Sequence, residues 1–108
     1  MAFPISAALL DAIVLSIVSR EGTYGYKITQ DIRKVCDVSE STLYPVLRRL
    51  LKAGDLETYD QAVDGRMRRY YKITPIGRMQ LMQYLSDWAD YRDKIESVFF
   101  GGRSHERI

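Results

Sequence analysis

The chain has 108 residues, of which 46% are hydrophobic and 28% charged, and its formal net charge is +2. This length predicts one small domain with a limited core, and the net charge is too small to indicate a nucleic-acid partner by itself. The single cysteine, Cys36, excludes an intrachain disulfide and a cysteine-based zinc site, and it suits a reducing cytoplasm. With one histidine and no glycine-rich phosphate loop, we expect no metal, no cofactor and no enzymatic activity.

The first predicted helix covers about 5–19 and is apolar on nearly every side. Ser6, Asp11 and Ser16 interrupt an apolar run that is too short to span a bilayer, so we expect no membrane insertion. A helix that is apolar all round must be covered on more than one face. The rest of so small a domain covers only one of them, which predicts a partner subunit on the other. The apolar residues are Leu9, Leu10, Ile13, Val14, Ile17 and Val18.

A second helix is predicted from about 24 to 36, with Thr23 as its cap. Its expected inward residues are Ile28, Ile32, Val35 and Cys36. This position makes Cys36 a buried structural thiol rather than a redox sensor.

The third predicted helix lies between Ser39, a good N-cap, and Gly54, a good residue for the position after the helix end. Pro45 falls inside it and removes the hydrogen bond to the carbonyl of residue 41, so either the helix is slightly opened there or its regular part begins later. The apolar stripe consists of Leu43, Val46, Leu47 and Leu50. The opposite face carries Ser41, Pro45, Arg48 and Lys52, flanked by Thr42 and Arg49. A basic face on a short helix is most often plain solvated surface, so it indicates function only in combination with the segment after Gly54.

Beyond Gly54 the apolar period changes from that of a helix to that of a strand. Leu56 and Thr58 alternate with polar residues, and Asp64-Gly65 provides a turn signal before a second alternating run ends at Ile73. A helix followed directly by a β-hairpin with a basic tip is the winged helix-turn-helix arrangement. The positive charge is concentrated here, because residues 41–72 include seven basic residues and only four acidic ones. The basic residues are Arg48, Arg49, Lys52, Arg66, Arg68, Arg69 and Lys72, and the acidic ones are Asp55, Glu57, Asp60 and Asp64.

The last predicted helix runs from Pro75 to about 100, with Pro75 in its first turn. Its apolar residues recur at alternating steps of four and three, the pattern of a helix that packs along another helix, and Arg92 interrupts the row. This stripe exceeds what one small domain can cover, so we expect a two-fold dimer formed by the first and last helices. We expect residues 101–108 to form a flexible tail. The predicted dimer residues are Leu9, Ile13, Leu81, Leu85, Trp88, Ile95 and Phe99.

Three groups of residues, in this order and with suitable spacing, resemble the motifs of the PadR family of transcriptional regulators. They are Tyr24-Gly25-Tyr26, then Ser41-Thr42-Leu43-Tyr44-Pro45, then Gly65-Arg66 with Arg68-Arg69-Tyr70-Tyr71, Thr74 and Gly77. The resemblance extends to about residue 100 and is to the short members of the family with a single C-terminal helix. Met67 and Leu51 depart from the family pattern, and both lie beside the motifs, where they bear on operator choice more than on the fold.

The resemblance implies a mainly α fold with a small β-hairpin: a winged helix-turn-helix domain over residues 1–74 and a dimerisation helix over 75–100. It also implies a DNA-binding regulator, expected to be a repressor that binds a palindromic operator as a homodimer. Ser41, Thr42, Tyr44 and Arg48 are the candidates for base contacts. Arg49 and Lys52 are expected to meet phosphates, and Arg66 and Arg68 to approach the minor groove or backbone. Tyr24, Tyr26 and Lys27 lie near phosphates in such a fold, although the tyrosines equally fit a packing role. With the cap Ser39 and with Pro45, these residues complete the predicted DNA-binding set.

In some short PadR-like proteins, aromatic small molecules stack on a tryptophan of the last helix. Carried over to this chain, Trp88 with Tyr84, Asp87 and Tyr91 would bind a flat or cationic effector that releases the DNA. The alternative is that Trp88 only fills the interface. For the whole chain, the alternatives are a winged-helix module that binds proteins and, disfavoured by the residue inventory, a hydrolase that uses surface carboxylates.

Overall fold

The computed structural model describes residues 5–101, which form four helices and one antiparallel hairpin. Helix α1 spans Ala7–Arg20, α2 spans Gly25–Ile32 and α3 spans Glu40–Lys52. Strands β1 and β2 span Leu56–Val63 and Arg66–Ile73, and α4 spans Pro75–Phe99. The predicted mainly α fold with a small hairpin is confirmed. Residues 102–108, most of the predicted tail, lie outside the described part of the chain.

Helix α1 is the centre of the core and begins two residues later than its sequence pattern predicts. The Ser6 hydroxyl accepts a hydrogen bond from the Leu9 N–H at 3.1 Å, which fixes Ser6 as the N-cap. Val14 and Leu15 are fully buried, whereas Leu9 and Ile13 are only half-buried. The second apolar face of α1 therefore lies open in the single chain.

Helix α2 is shorter than predicted at both ends. Thr23 does not cap it: the Thr23 N–H donates to the Tyr71 carbonyl at 3.1 Å, and the Tyr71 N–H donates back. The helix ends at Ile32, after which a turn leaves Val35 69% exposed rather than inward. Cys36 is half-buried, and burial raises the pKa of its thiol, so the thiol stays protonated at neutral pH.

Helix α3 agrees closely with its prediction. The Ser39 hydroxyl accepts from the Thr42 N–H at 3.3 Å, and Pro45 lies inside a helix that continues to Lys52. The buried residues are the four of the predicted stripe, Leu43, Val46, Leu47 and Leu50. The helix is consequently held to the core along one face, and the predicted polar face is outside.

The hairpin is the wing of the fold, and its base joins the core. Leu56 pairs with Ile73 at the base, where both are buried, and Val63 pairs with Arg66 at the tip. Asp64 and Gly65 connect the strands with φ values of 52° and 76°. Two successive positive φ angles define a type I′ turn, the connection that Asp-Gly favours.

Helix α4 starts from a strong cap and soon leaves the core. The Thr74 hydroxyl accepts from the Gly77 N–H at 2.9 Å and donates to the Gly54 carbonyl at 2.6 Å, which ties the start of α4 to the end of α3. Leu81 is 7% exposed and packs in the chain's own core, which leaves little of its side chain for the predicted dimer face. No helix in residues 5–101 is long and apolar enough to cross a membrane.

Candidate nucleic-acid interface

The outer face of α3 presents hydroxyl groups at its start and basic groups further along. Ser41, Thr42, Pro45, Arg48 and Lys52 are all exposed, as their helical positions predict. The Ser39 hydroxyl lies 2.9 Å from the Ser41 hydroxyl and 3.2 Å from that of Thr42, so the first turn carries a hydroxyl cluster. Within residues 5–101, neither Arg48 nor Lys52 makes an ion pair or side-chain hydrogen bond. Both charges are free to meet a ligand.

Tyr44 lies where α3 meets the start of α2. Its ring packs so closely on Gly25 that a Cβ there would lie 3.1 Å from the ring. Its hydroxyl points toward the Glu40 carboxylate at 3.4 Å and the side chain is 40% exposed. Burial, followed by the charge of Glu40, raises the pKa of Tyr44, so the hydroxyl keeps its proton at neutral pH. Tyr44 therefore places a protonated hydroxyl beside the polar face of α3, where any other acceptor competes with Glu40 for its hydrogen.

The wing arginine Arg68 is held in place by an aromatic stack. Its guanidinium lies 4.3 Å from the centroid of the Tyr24 ring, within cation–π range. Tyr24 meets Tyr70 edge to face at 5.4 Å, and Tyr70 stacks on Tyr59 at 5.4 Å. Tyr24 therefore has a packing role, the alternative left open by the sequence. Because Tyr24 contacts the wing and the adjacent Gly25 contacts α3, the start of α2 joins the two basic elements.

The other residues predicted to contact phosphates differ in their exposure and in their ion pairing. Arg66 is exposed at the wing tip, and Tyr26 is 56% exposed on α2. Lys27 forms an ion pair with Asp31 at 2.8 Å; this hydrogen bond and charge raise the pKa of Lys27, which stays cationic. Lys27 can approach a phosphate only in competition with Asp31.

Arg49 differs from its neighbours, because its guanidinium is paired with the carboxylate of Asp11 on α1. Only 10% of the Asp11 side chain is exposed, against 50% of that of Arg49. The sequence pattern predicts a phosphate contact for Arg49 and no partner for Asp11. The one signal available was that Asp11 is the only charged residue in an otherwise apolar helical run.

The four predicted effector residues converge on one open recess between α1 and α4. It has a volume of about 360 Å³ and is lined by Ser6, Ala8, Leu9, Ala12, Tyr84, Asp87, Trp88 and Tyr91. The Asp87 carboxylate accepts a hydrogen bond from the Gln83 amide at 2.9 Å. Three aromatic rings and one carboxylate thus surround the same space.

A larger groove of about 830 Å³ runs along the open face of α1. It brings together Leu9, Ile13, Leu85 and Trp88, four of the predicted dimer residues. Further along α4, Ile95 is half-buried and Phe99 is 67% exposed.

Comparison with known proteins identifies the family. The sequence pattern described as the transcriptional regulator PadR-like family matches residues 14–83, well over half of the chain. The chain belongs to the PadR-like family. Its members are transcriptional regulators that bind DNA, not enzymes, which confirms the predicted family and class of function.

Individual proteins and solved structures match the chain over different shares of their length. The transcriptional regulator Rv3488 of Mycobacterium tuberculosis is 39% identical over 85 residues, covering 76% of this chain and 74% of that protein. The crystal structure of smu.1704 from Streptococcus mutans UA159 has a TM-score of 0.88 and 42% identity, covering 94% of this chain and 95% of that one. Bacillus subtilis PadR, solved in complex with operator DNA, shares the fold with a TM-score of 0.64 at 21% identity, over 70% of this chain and 46% of that one.

Proposed function

We propose that this PadR-family regulator is a cytoplasmic repressor that binds a palindromic operator as a homodimer and is released by a small aromatic ligand. The observation that carries the DNA-binding part is the pair of free cations, Arg48 and Lys52, on the outer face of α3. The start of α2 links that face to a wing arginine, Arg68, already fixed on an aromatic ring. An arginine fixed before binding loses less side-chain entropy when it binds.

The division of labour on DNA follows from the two kinds of group on α3. A helix fits the major groove, where hydroxyl and guanidinium groups reach base edges, so Ser41, Thr42, Tyr44 and Arg48 contact bases. Lys52, one turn further on, contacts the phosphate backbone. Arg66 and Arg68 approach the neighbouring minor groove or the backbone from the wing.

Two copies of this interface require a dimer, and the open face of α1 supports one. The groove on α1 is lined by Leu9 and Ile13 together with Leu85 and Trp88 of α4. A second chain placed there by two-fold symmetry covers the same residues on both copies and sets two α3 helices about one turn of DNA apart. That spacing is the basis for a palindromic operator.

The recess at Trp88 is suited to a flat cation. Tyr84, Trp88 and Tyr91 offer ring faces, and Asp87 adds negative charge. Proflavine is a suitable probe, because Trp88 is the only tryptophan and its fluorescence reports directly on stacking. Saturable quenching supports an effector site; no quenching at high proflavine concentration shows that Trp88 only packs.

The test of DNA binding compares two substitutions over a series of salt concentrations. Binding of a labelled duplex from upstream of the protein's own gene is measured by fluorescence anisotropy. Arg48→Ala should weaken binding by roughly 1–3 kcal/mol and relax base preference, because a bidentate guanine contact is lost. Lys52→Ala should weaken binding to all sequences alike and reduce the slope of log affinity against log salt by about 1.

The outcome separates this proposal from a winged-helix module that binds proteins. Phosphate contacts make affinity fall steeply with salt. Weak binding with little salt dependence, or an Arg48→Ala variant with wild-type affinity for every duplex, contradicts the proposed interface.

A further inference from the structure

Asp11 is an acidic residue on the buried side of α1, where charged side chains are rare. It is the only charged residue in α1 before Arg20, and its side chain is 10% exposed among the core residues Leu10, Val14 and Leu15. A buried carboxylate is costly unless it is paired and hydrogen-bonded. Arg49 supplies the paired charge from the last turn of α3.

A third helix reaches the same carboxylate. The Tyr84 hydroxyl of α4 lies 3.5 Å from Asp11 Oδ2, at the long limit of a hydrogen bond, while Arg49 binds Oδ1. Tyr84 also lines the recess that contains Trp88. One carboxylate therefore connects the recess, through Tyr84, to the helix that carries the proposed base contacts.

We infer that Arg49 is a positioning residue rather than a phosphate contact, and that the Asp11 carboxylate couples the Trp88 recess to the orientation of α3. This inference rests on the proposed function, since it concerns how the same interface is set. The guanidinium of Arg49 points to α1, while Arg48 and Lys52 on the same helix stay free. Tyr84 contacts the Asp11 carboxylate and Arg49 neutralises it. A shift of Tyr84 therefore changes the surroundings of Asp11, and Arg49 transmits that change to α3.

Coupling of this kind has to be reciprocal. If an occupant of the recess changes DNA affinity through Asp11, then DNA binding changes the recess by the same free energy. Trp88 lies in that recess and is the only tryptophan, so its emission reports the effect of DNA on the recess without any added ligand.

The first experiment separates positioning from phosphate contact. A duplex enriched from a random library by the wild-type protein is titrated with Arg49→Gln, Asp11→Asn and the double variant at several salt concentrations. Each single variant should lose roughly tenfold in affinity, and the double variant should lose much less than the product of the two, because both break the same pair. The salt slope should stay at the wild-type value, whereas Lys52→Gln should reduce it by about one.

The second experiment measures the coupling itself. Excited at 295 nm, Trp88 should change its emission when the wild-type protein binds the selected duplex. Asp11→Asn and Tyr84→Phe should still bind at higher protein concentration but lose this change. Asp93→Asn, which removes an exposed ion pair with Arg92, is the matched control and should keep it. All variants are compared at a temperature at which circular dichroism shows them folded, so that loss of stability alone does not alter the result.

The possible failures are distinguishable. If the wild-type protein binds no duplex selectively, the proposed function and this inference both fall. If it binds, but Arg49→Gln lowers the salt slope as Lys52→Gln does, Arg49 contacts phosphate and only this inference is overturned. An emission change that persists in Asp11→Asn and Tyr84→Phe also overturns the coupling.

Discussion

Asp11 and Asp55 are both buried carboxylates, but only Asp11 is paired with a basic side chain. Asp11 has the guanidinium of Arg49. Asp55 is 8% exposed and has no ion-pair partner within residues 5–101. Burial, followed by the nearby charge of Asp11, raises the pKa of Asp55. The ionised form of Asp55 is therefore the form that the fold disfavours.

The pKa direction predicts how Asp55→Asn changes stability with pH. A carboxyl group whose pKa is raised by folding contributes stability below its unfolded pKa and loses that contribution as pH rises through its folded pKa. The variant should accordingly gain stability relative to wild type as pH rises from 3 toward neutrality, and the gain should then level off. Urea unfolding across this range measures the difference, with Asp60→Asn on the exposed surface of β1 as the control for removing one negative charge. A difference that is constant with pH contradicts the assignment.

Single residues show both the reach and the limit of the sequence pattern. Helical spacing correctly placed Ser41, Arg48 and Lys52 on the outside of α3, because the apolar stripe fixes the inward face. The same spacing placed Arg49 at the flank of the outer, polar face of α3. Its pairing with Asp11, 38 positions away, depends on where the fold places α1 relative to α3, which no local pattern contains.

At the scale of elements, the wing shows how a turn sequence fixes the geometry of a binding arm. Asp64-Gly65 forms a two-residue type I′ turn, so Arg66 comes directly after the turn and Arg68 falls on the strand face that carries Tyr70. This part of the fold was predictable, because alternation and turn chemistry agree. The start of α2 was not predictable, since the backbone bridge from Thr23 to Tyr71 takes the place of a local cap.

Gly65→Ala should loosen the wing without unfolding the rest of the chain. Gly65 has a φ of 76°, a conformation in which an alanine costs about 1–2 kcal/mol. We expect faster amide hydrogen exchange across β1 and β2 and little change in α1. Asp64→Asn is the matched control, because Asn-Gly favours the same turn, and it should keep wild-type exchange rates. Equal exchange in Gly65→Ala and wild type argues against a turn of this type.

The whole molecule is elongated, with extents of 61 × 32 × 21 Å, because α4 continues beyond the core. The core takes up Leu81 and part of Tyr84, and the exposed apolar residues of α4 include Leu85, Trp88 and Val98. The heptad-like pattern predicted one continuous apolar stripe along α4. It did not predict where along that stripe the chain's own core ends and the exposed part begins. That boundary depends on the length of α1, against which α4 packs, and so could not be derived from α4 alone.

Leu85→Glu should dissociate the proposed dimer. Leu85 is 48% exposed and lines the groove with Leu9, Ile13 and Trp88, so a carboxylate there would be buried without a partner when a second chain docks. Met79→Glu makes the same kind of change on α4, nine residues from Trp88 and thus on the opposite side of the helix, where the side chain is 72% exposed. Sedimentation velocity at micromolar concentration should show a dimer for wild type and Met79→Glu and a folded monomer for Leu85→Glu. Because two half-sites are engaged only by a dimer, Leu85→Glu should also lose most of its affinity for the selected duplex, and a wild-type monomer would remove the basis for a palindromic operator.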